Sequence, residues 1–490
     1  MMNYRKNLKI MRKLKKLSFI FTASVLFFLI FSYSTSPLYP YSYGWDSAFF
    51  QLVGKGMVKG YLPYRDFFDM KGPWLFFIQY VGTFIGKYGV FLLQCMWGGV
   101  TVEICLKCEQ IFLLQSSAKS MILRLLPLGM IMAITIEGGN LTEEWSLPLL
   151  FLCFYLALQY IMGEKKEHKI LWGLIYGIAF GIISLIRITN TVLICAIVAT
   201  VSISLITQRM WLNLIKNAIA FLGGVIISFS IPVLYFSGNG MLGEMFYDTF
   251  IFGGVYGTEG FGYGTGKCLI LLLFLPIGML IITRTKNRLL WLLAFFNMSG
   301  MLIVLGMGNS TLHDYMLVIP GMMLGIWIWK SNSKIKKELW KKVVVAAMFI
   351  GVFTYPCYKM IYVTKTVFEQ NSEEVKMDYE NIIEIAAEVR KKGGNEIWGY
   401  EVPLRVYLIS EMMPYSRYCG WQEHYMKLMP TIKWEIIDML EKNPPQWIVT
   451  KTGQVIDATI WGKIDKNYIE YKKNNDYTLY ECREKFRDIK

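Results

Sequence analysis

Charge is in short supply in this sequence. Only 18% of its 490 residues are charged, against about 25% in soluble domains, which excludes an ordinary soluble surface. Histidine is scarcer still, with three in the whole chain. The nine cysteines are scattered, most of them inside apolar segments. Cys105 and Cys108 form a CxxC with no second pair, so no structural zinc site is expected. Cys419 and Cys482 fall in a polar tail, where pairing depends on the compartment. No internal repeat and no low-complexity tract is present.

What fills the chain instead is hydrocarbon. Hydrophobic residues make up 54% of it, mean hydropathy is +0.38, and several apolar runs reach the roughly 20 residues that cross a bilayer. The formal charge of +15 would suit a nucleic-acid binder. Its basic residues, however, sit in short clusters between apolar runs, where they act as topology signals. Residues 1–16 carry seven cations and no acid. The apolar segment from Leu17 to about Ser34 has no small-x-small cleavage site after it. It reads as a first span whose basic N-terminus stays in the cytoplasm.

Pro73–Gly86 is apolar but has fourteen residues, too few to span comfortably. With its aromatics and flanking Lys71 and Lys87 it is expected to lie at the outer interface. That choice sets the parity of every later loop. With it, the basic loops Gly163–Lys169, Gln208–Lys216, Arg284–Arg288 and Lys330–Lys342 all fall on the side of the N-terminus, as the positive-inside bias requires. About eleven spans follow. The expected architecture is an α-helical polytopic membrane protein: a basic cytoplasmic segment 1–16, a transmembrane core 17–362 whose first outer loop is 35–87, and an extracytoplasmic domain 363–490. That last part alternates short apolar strands (Gln446–Thr450, Tyr477–Tyr480) with helical patterns (Asp378–Lys391, Thr431–Lys442), which predicts a small α/β domain.

With that topology the ionisable residues converge on one face. The first outer loop holds Asp46, Arg65, Asp66, Asp69 and Lys71. The second holds Glu137, Glu143 and Glu144, Arg187 ends a span, and His313 and Asp314 occupy a later outer loop. Each has an ordinary reading beside the functional one. Glu143 and Glu144 suit the first turn of a helix, Arg187 suits snorkelling to headgroups, and Lys55 and Lys59 suit a solvated helix face. A lipid transporter or flippase would instead favour internal symmetry and charges at the bilayer midplane. A non-catalytic scaffold would not need acids and cations in this order.

The order of these residues carries a resemblance. Asp46, an amphipathic segment, then GYLPYRDFFDMKGPWLFFI resembles the first outer loop of GT-C membrane glycosyltransferases of the protein O-mannosyltransferase and aminoarabinose transferase branch. NLTEEWSLPL, Arg187 after a span, and HDYMLVIPGM are similar to later segments of that family. Asp46 is followed by Ser47, where many relatives keep a second acid. The resemblance implies transfer of a sugar from a polyprenyl-phosphate donor to a protein, cell-wall polymer or glycolipid acceptor at the outer face of the plasma membrane. It implies Asp46 as general base, with Lys71, Arg187, Arg65 and His313 around the donor phosphate. Glu143, Glu144 and Asp69 are then the candidates to position the acceptor or to hold a divalent cation, Mg or Mn. No nucleic-acid partner is expected.

Overall fold

The computed structural model describes residues 2–113, 121–257, 260, 262–307, 310–332 and 338–483. Parts of the basic 330–342 loop and of the stretch before His313 lie outside the described residues. In chain order, α1 (Met2–Phe31), α2 (Asp46–Val58), α3 (Pro73–Ile85), α4 (Gly89–Phe112), α5 (Met121–Thr135) and α6 (Thr142–Ile161) come first. They are followed by α7 (Ile170–Ser184), α8 (Val192–Thr207), α9 (Trp211–Gly238), α10 (Leu242–Phe246), a π turn at Tyr247–Phe252 and α11 (Gly253–Gly257). Then come α12 (Leu271–Thr283), α13 (Arg288–Gly306), a 3-10 turn at His313–Val318, α14 (Ile319–Ser331), α15 (Leu339–Glu369) and α16 (Glu373–Lys391).

Eight of the described helices are long and apolar enough to cross a membrane. The shorter α5 and α7 nevertheless join the two ends of the bundle. Near the start of α5, Arg124 pairs with Glu109 at 2.5 Å; just beyond its end, Glu137 accepts a hydrogen bond from the His313 amide at the other end. α3 behaves differently. It starts at Gly72 and hands over at Gly86 to α4, whose Gln94 bonds Ser32 and Glu144 at that same end. Thirteen residues give roughly 20 Å of helix, so α3 begins and ends on one side, the geometry of an interfacial helix. Glycine permits a close helix contact: a Cβ on Gly177 of α7 would lie 1.9 Å from the Phe221 carbonyl of α9, the close approach that small residues permit between membrane helices.

The polar tail folds into β1 (Glu396–Tyr400), α17 (Arg405–Ser410), β2 (Met413–Pro414), α18 (Gln422–Leu428), α19 (Thr431–Lys442), β3 (Trp447–Lys451), α20 (Ala458–Asn467), β4 (Tyr468–Lys473) and β5 (Tyr477–Cys482). The sheet order is β2-β1-β3-β5-β4, with β1 parallel to β2 and β3 and the remaining pairs antiparallel. Alternate strand residues face opposite sides. Ile397, Trp447 and Val449 pack with α16, whereas Trp398, Ile448 and Tyr468 pack with α19 and α20. Cys419 and Cys482 are both buried and are not joined in a disulfide.

This domain is not an appendage. Its apolar faces continue into Phe49, Phe50 and Phe67 of the first loop on one side and into Phe68 and Phe252 on the other. Arg417 rivets the junction. Its Nη1 donates to the Tyr64 carbonyl at 3.1 Å, its own carbonyl accepts from the Phe68 amide, and its guanidinium covers the Phe68 ring at 4.8 Å. Asp248 lies opposite at 3.8 Å with its side chain 1% exposed.

Burial raises the Asp248 carboxyl to about 7; Arg417 opposes the shift, and the nearby acids Asp69, Glu244 and Glu435 add to it. The folded protein therefore holds a proton that the unfolded chain releases above about pH 4. Stability from this site falls as pH rises from about 4 to about 7, by up to about 1.4 kcal/mol per pH unit. Thermal melts of wild type and Asp248→Asn in detergent at pH 5 and pH 8 test this. The variant is expected to lose that part of the slope, and parallel pH profiles would refute it.

Candidate active site

A backbone contact builds the site. Gly72 donates to the Ile186 carbonyl at 3.1 Å and Trp74 donates to that of Leu185 at 3.0 Å. A Cβ on Gly72 would lie 2.2 Å from the Leu185 oxygen, so no other residue lets these strands of chain meet. The contact brings Lys71 beside Arg187. Asp69 is buried and accepts from the Lys71 amide at 2.6 Å, which pins the turn. Burial raises its carboxyl and Lys71 opposes the shift.

Arg187 is held by two acids. Its Nη1 donates to Glu143 Oε1 at 2.8 Å and to Asp314 Oδ1. Burial works against the guanidinium charge, and Asp314 and Glu143 outweigh it. Both acids use Nη1, which leaves Nη2 and Nε without a hydrogen-bond partner among the described residues. Asp314 is fixed in turn by the Thr311 amide at 2.8 Å and hydroxyl at 3.1 Å. Glu137 accepts from the His313 amide and pairs with its ring Nδ1 at 2.8 Å.

Two ions remain. Asp46, in the first turn of α2, and Lys71 are both half-buried, and neither side chain has a hydrogen bond or ion pair to a described residue. They share one neighbourhood. Burial raises the Tyr256 phenol, and Lys71, Asp46, Arg187 and Asp69 all act on it. The field of Asp46 also reaches His313. Asp46, Asp69, Lys71, Arg187, Glu143 and His313 therefore converge, as the loop arithmetic anticipates.

Arg65 and Glu144 do not join them. Arg65 chelates Asp66 through two bonds, at 3.0 and 2.7 Å, with half of its side chain exposed. Glu144 is enclosed in an amide network: it accepts from Gln94 at 2.9 Å and from the Asn140 amide at 2.8 Å. The Asn140 side chain donates onward to Ser47 at 3.0 Å. Ser47 is 1% exposed and also accepts from Gln51, so a second acid there would be a buried charge next to Glu144. The acids proposed for a divalent ion do not fit one. Glu143 serves Arg187, Glu144 faces the amides, Asp69 caps a turn, and no cluster of three metal-ligating side chains occurs among the described residues.

The sequence alone gives Glu137, Asp314 and Tyr256 no role. Asp314 is signalled by its place beside His313, and Glu137 by the acid-rich turn; nothing in the sequence marks Tyr256. Next to the cluster lies an apolar cavity of about 290 Å³ walled by Trp74, Phe77, Leu93, Met96, Trp97 and Trp145.

This is a multi-pass membrane protein with the fold of the GT-C glycosyltransferases. Its structural neighbours include ArnT from Cupriavidus metallidurans bound to undecaprenyl phosphate, with TM-score 0.59 and 10% identity over 94% of this chain and 97% of that one. ArnT from the same organism in the apo state gives TM-score 0.55 and 12% identity over 96% and 98%. No protein-family model matches the sequence, and no curated protein matches it.

Proposed function

We propose that this protein transfers a sugar from a polyprenyl-phosphate donor to an acceptor at the outer face of the plasma membrane. The N-terminus lies in the cytoplasm and the C-terminal domain outside. One observation carries the reading: in a cluster where Arg187 and His313 are held by acids, the Asp46 carboxylate and the Lys71 ammonium have no hydrogen-bond or ion-pair partner among the described residues, and both act on Tyr256. Asp46 accepts the proton of the acceptor hydroxyl, within hydrogen-bond reach of it. That oxygen attacks the anomeric carbon as the bond to the phosphate oxygen breaks. The departing polyprenyl phosphate keeps the electron pair, and Lys71 with the free Nη2 and Nε of Arg187 stabilises the charge it gains.

The displacement is direct, so the anomeric centre inverts. His313, which feels Asp46, borders the sugar, while Glu143 and Asp314 orient Arg187. The apolar cavity beside Trp74 suits the start of the hydrocarbon tail. The ArnT neighbour, itself bound to undecaprenyl phosphate, supports the donor class. Protein, cell-wall polymer and glycolipid acceptors all fit this chemistry.

Purified protein in liposomes, given a labelled undecaprenyl-phosphate sugar and an envelope extract, is expected to put label on an acceptor with inverted anomeric configuration. Movement of intact donor lipid without transfer would make the protein a flippase. A stable sugar–Asp46 adduct would refute direct displacement.

A further inference from the structure

The C-terminal domain reaches the helix that Asp46 opens. Its turn before α18 is clamped to the sheet by Gln422, fully buried, whose Nε2 donates to the carbonyls of Gly399 at 2.7 Å and Tyr418 at 2.8 Å. Gln422 Oε1 accepts from the Glu401 amide at 3.0 Å. That clamp holds Trp421 at φ +54°, a conformation rare for a bulky residue and maintained only where surrounding structure enforces it. In it the Trp421 ring packs on Phe49 at 5.9 Å, in the helix that Asp46 opens. His424 meets the Tyr256 ring edge-on at 5.4 Å.

Tyr425 is fixed between them. Its ring contacts Phe68 at 5.3 Å and Phe252 at 5.6 Å, and only 3% of the residue is exposed. Its hydroxyl has no hydrogen-bond partner among the described residues. Its ring lies 6.3 Å from that of Trp421, which itself packs on Phe49 of α2; burial raises the phenol, and Asp69, Tyr256, Asp46 and Cys419 add to the shift.

We propose that Tyr425 is an acceptor-binding residue: the C-terminal domain completes the site, and the free phenol hydrogen-bonds a hydroxyl-bearing acceptor next to Asp46. This rests on the glycosyltransferase reading above. The unpaired hydroxyl gives the phenol a donor and an acceptor function to offer, and the Gln422 clamp holds it in place before the acceptor arrives, which lowers the ordering cost of binding.

Tyr425→Phe keeps every ring contact and removes only the hydroxyl. Transfer from an undecaprenyl-phosphate sugar is measured against increasing envelope extract, and undecaprenyl phosphate binding is measured separately on the same purified protein. The variant is expected to need on the order of tenfold more acceptor for half-maximal transfer, with undecaprenyl phosphate affinity within twofold of wild type and an unchanged melting temperature. An unchanged acceptor requirement would overturn the assignment, as would a matching loss of undecaprenyl phosphate affinity. Absence of transfer by the wild type would remove the glycosyltransferase reading, and this proposal with it.

Discussion

Asp46→Asn is expected to lower sugar transfer by on the order of a thousandfold or more, within the range attributed to a positioned general base. The substitution keeps shape and removes the proton acceptor. Because the Asp46 carboxylate makes no hydrogen bond or ion pair to a described residue, its neutralisation breaks no such contact in the fold. Membrane insertion, melting temperature and undecaprenyl phosphate binding are therefore expected to stay as in wild type. Single-turnover transfer with preloaded donor measures the effect. Near-normal turnover would take Asp46 out of the base role.

Lys71→Gln carries the second large effect. Its ammonium is the unpaired cation of the cluster, and the phosphate oxygen gains charge as the sugar leaves. Removing one preorganised stabiliser of developing charge costs on the order of a hundred- to a thousandfold in rate. Undecaprenyl phosphate is expected to bind more weakly as well, since the ground state already carries charge there. Lys71→Arg is expected to restore binding better than turnover, because a planar fork does not reproduce a point charge at that position. Equal donor affinity in wild type and Lys71→Gln would place the phosphate elsewhere. Arg187 makes a poorer probe: removing it strands two buried carboxylates, at a cost of about 3–5 kcal/mol, and mixes folding with function.

Much of this arrangement is legible in the one-dimensional pattern. Hydropathy marks the spans, basic clusters mark one face, and the shortness of Pro73–Gly86 sets the parity that gathers Asp46, Lys71, Arg187 and His313 at one end. Pairing is not legible. Arg65 and Glu144 look as functional as Arg187 and Glu143 in the string, yet Arg65 is taken by its neighbour Asp66 and Glu144 by the amides of Gln94 and Asn140. Ser47 looks like a lost acid and is a buried hydroxyl in that amide network. Hydrogen-bond partners are chosen by distance in space, which the string does not encode.

The division is physical. Transfer of apolar segments out of water depends on composition and length, so the sequence by itself determined a polytopic membrane protein and its α/β tail, and set the expectation of a basic face and a short interfacial helix. Which ions remain free depends on contacts between segments far apart in the chain. The docking of Gly72 onto Leu185, the capture of Arg187 by Glu143 and Asp314, and the seating of Tyr425 against Phe68 and Phe252 were decided only by the tertiary structure. Those contacts leave Asp46 and Lys71 unpaired, and the proposed chemistry rests on that pair.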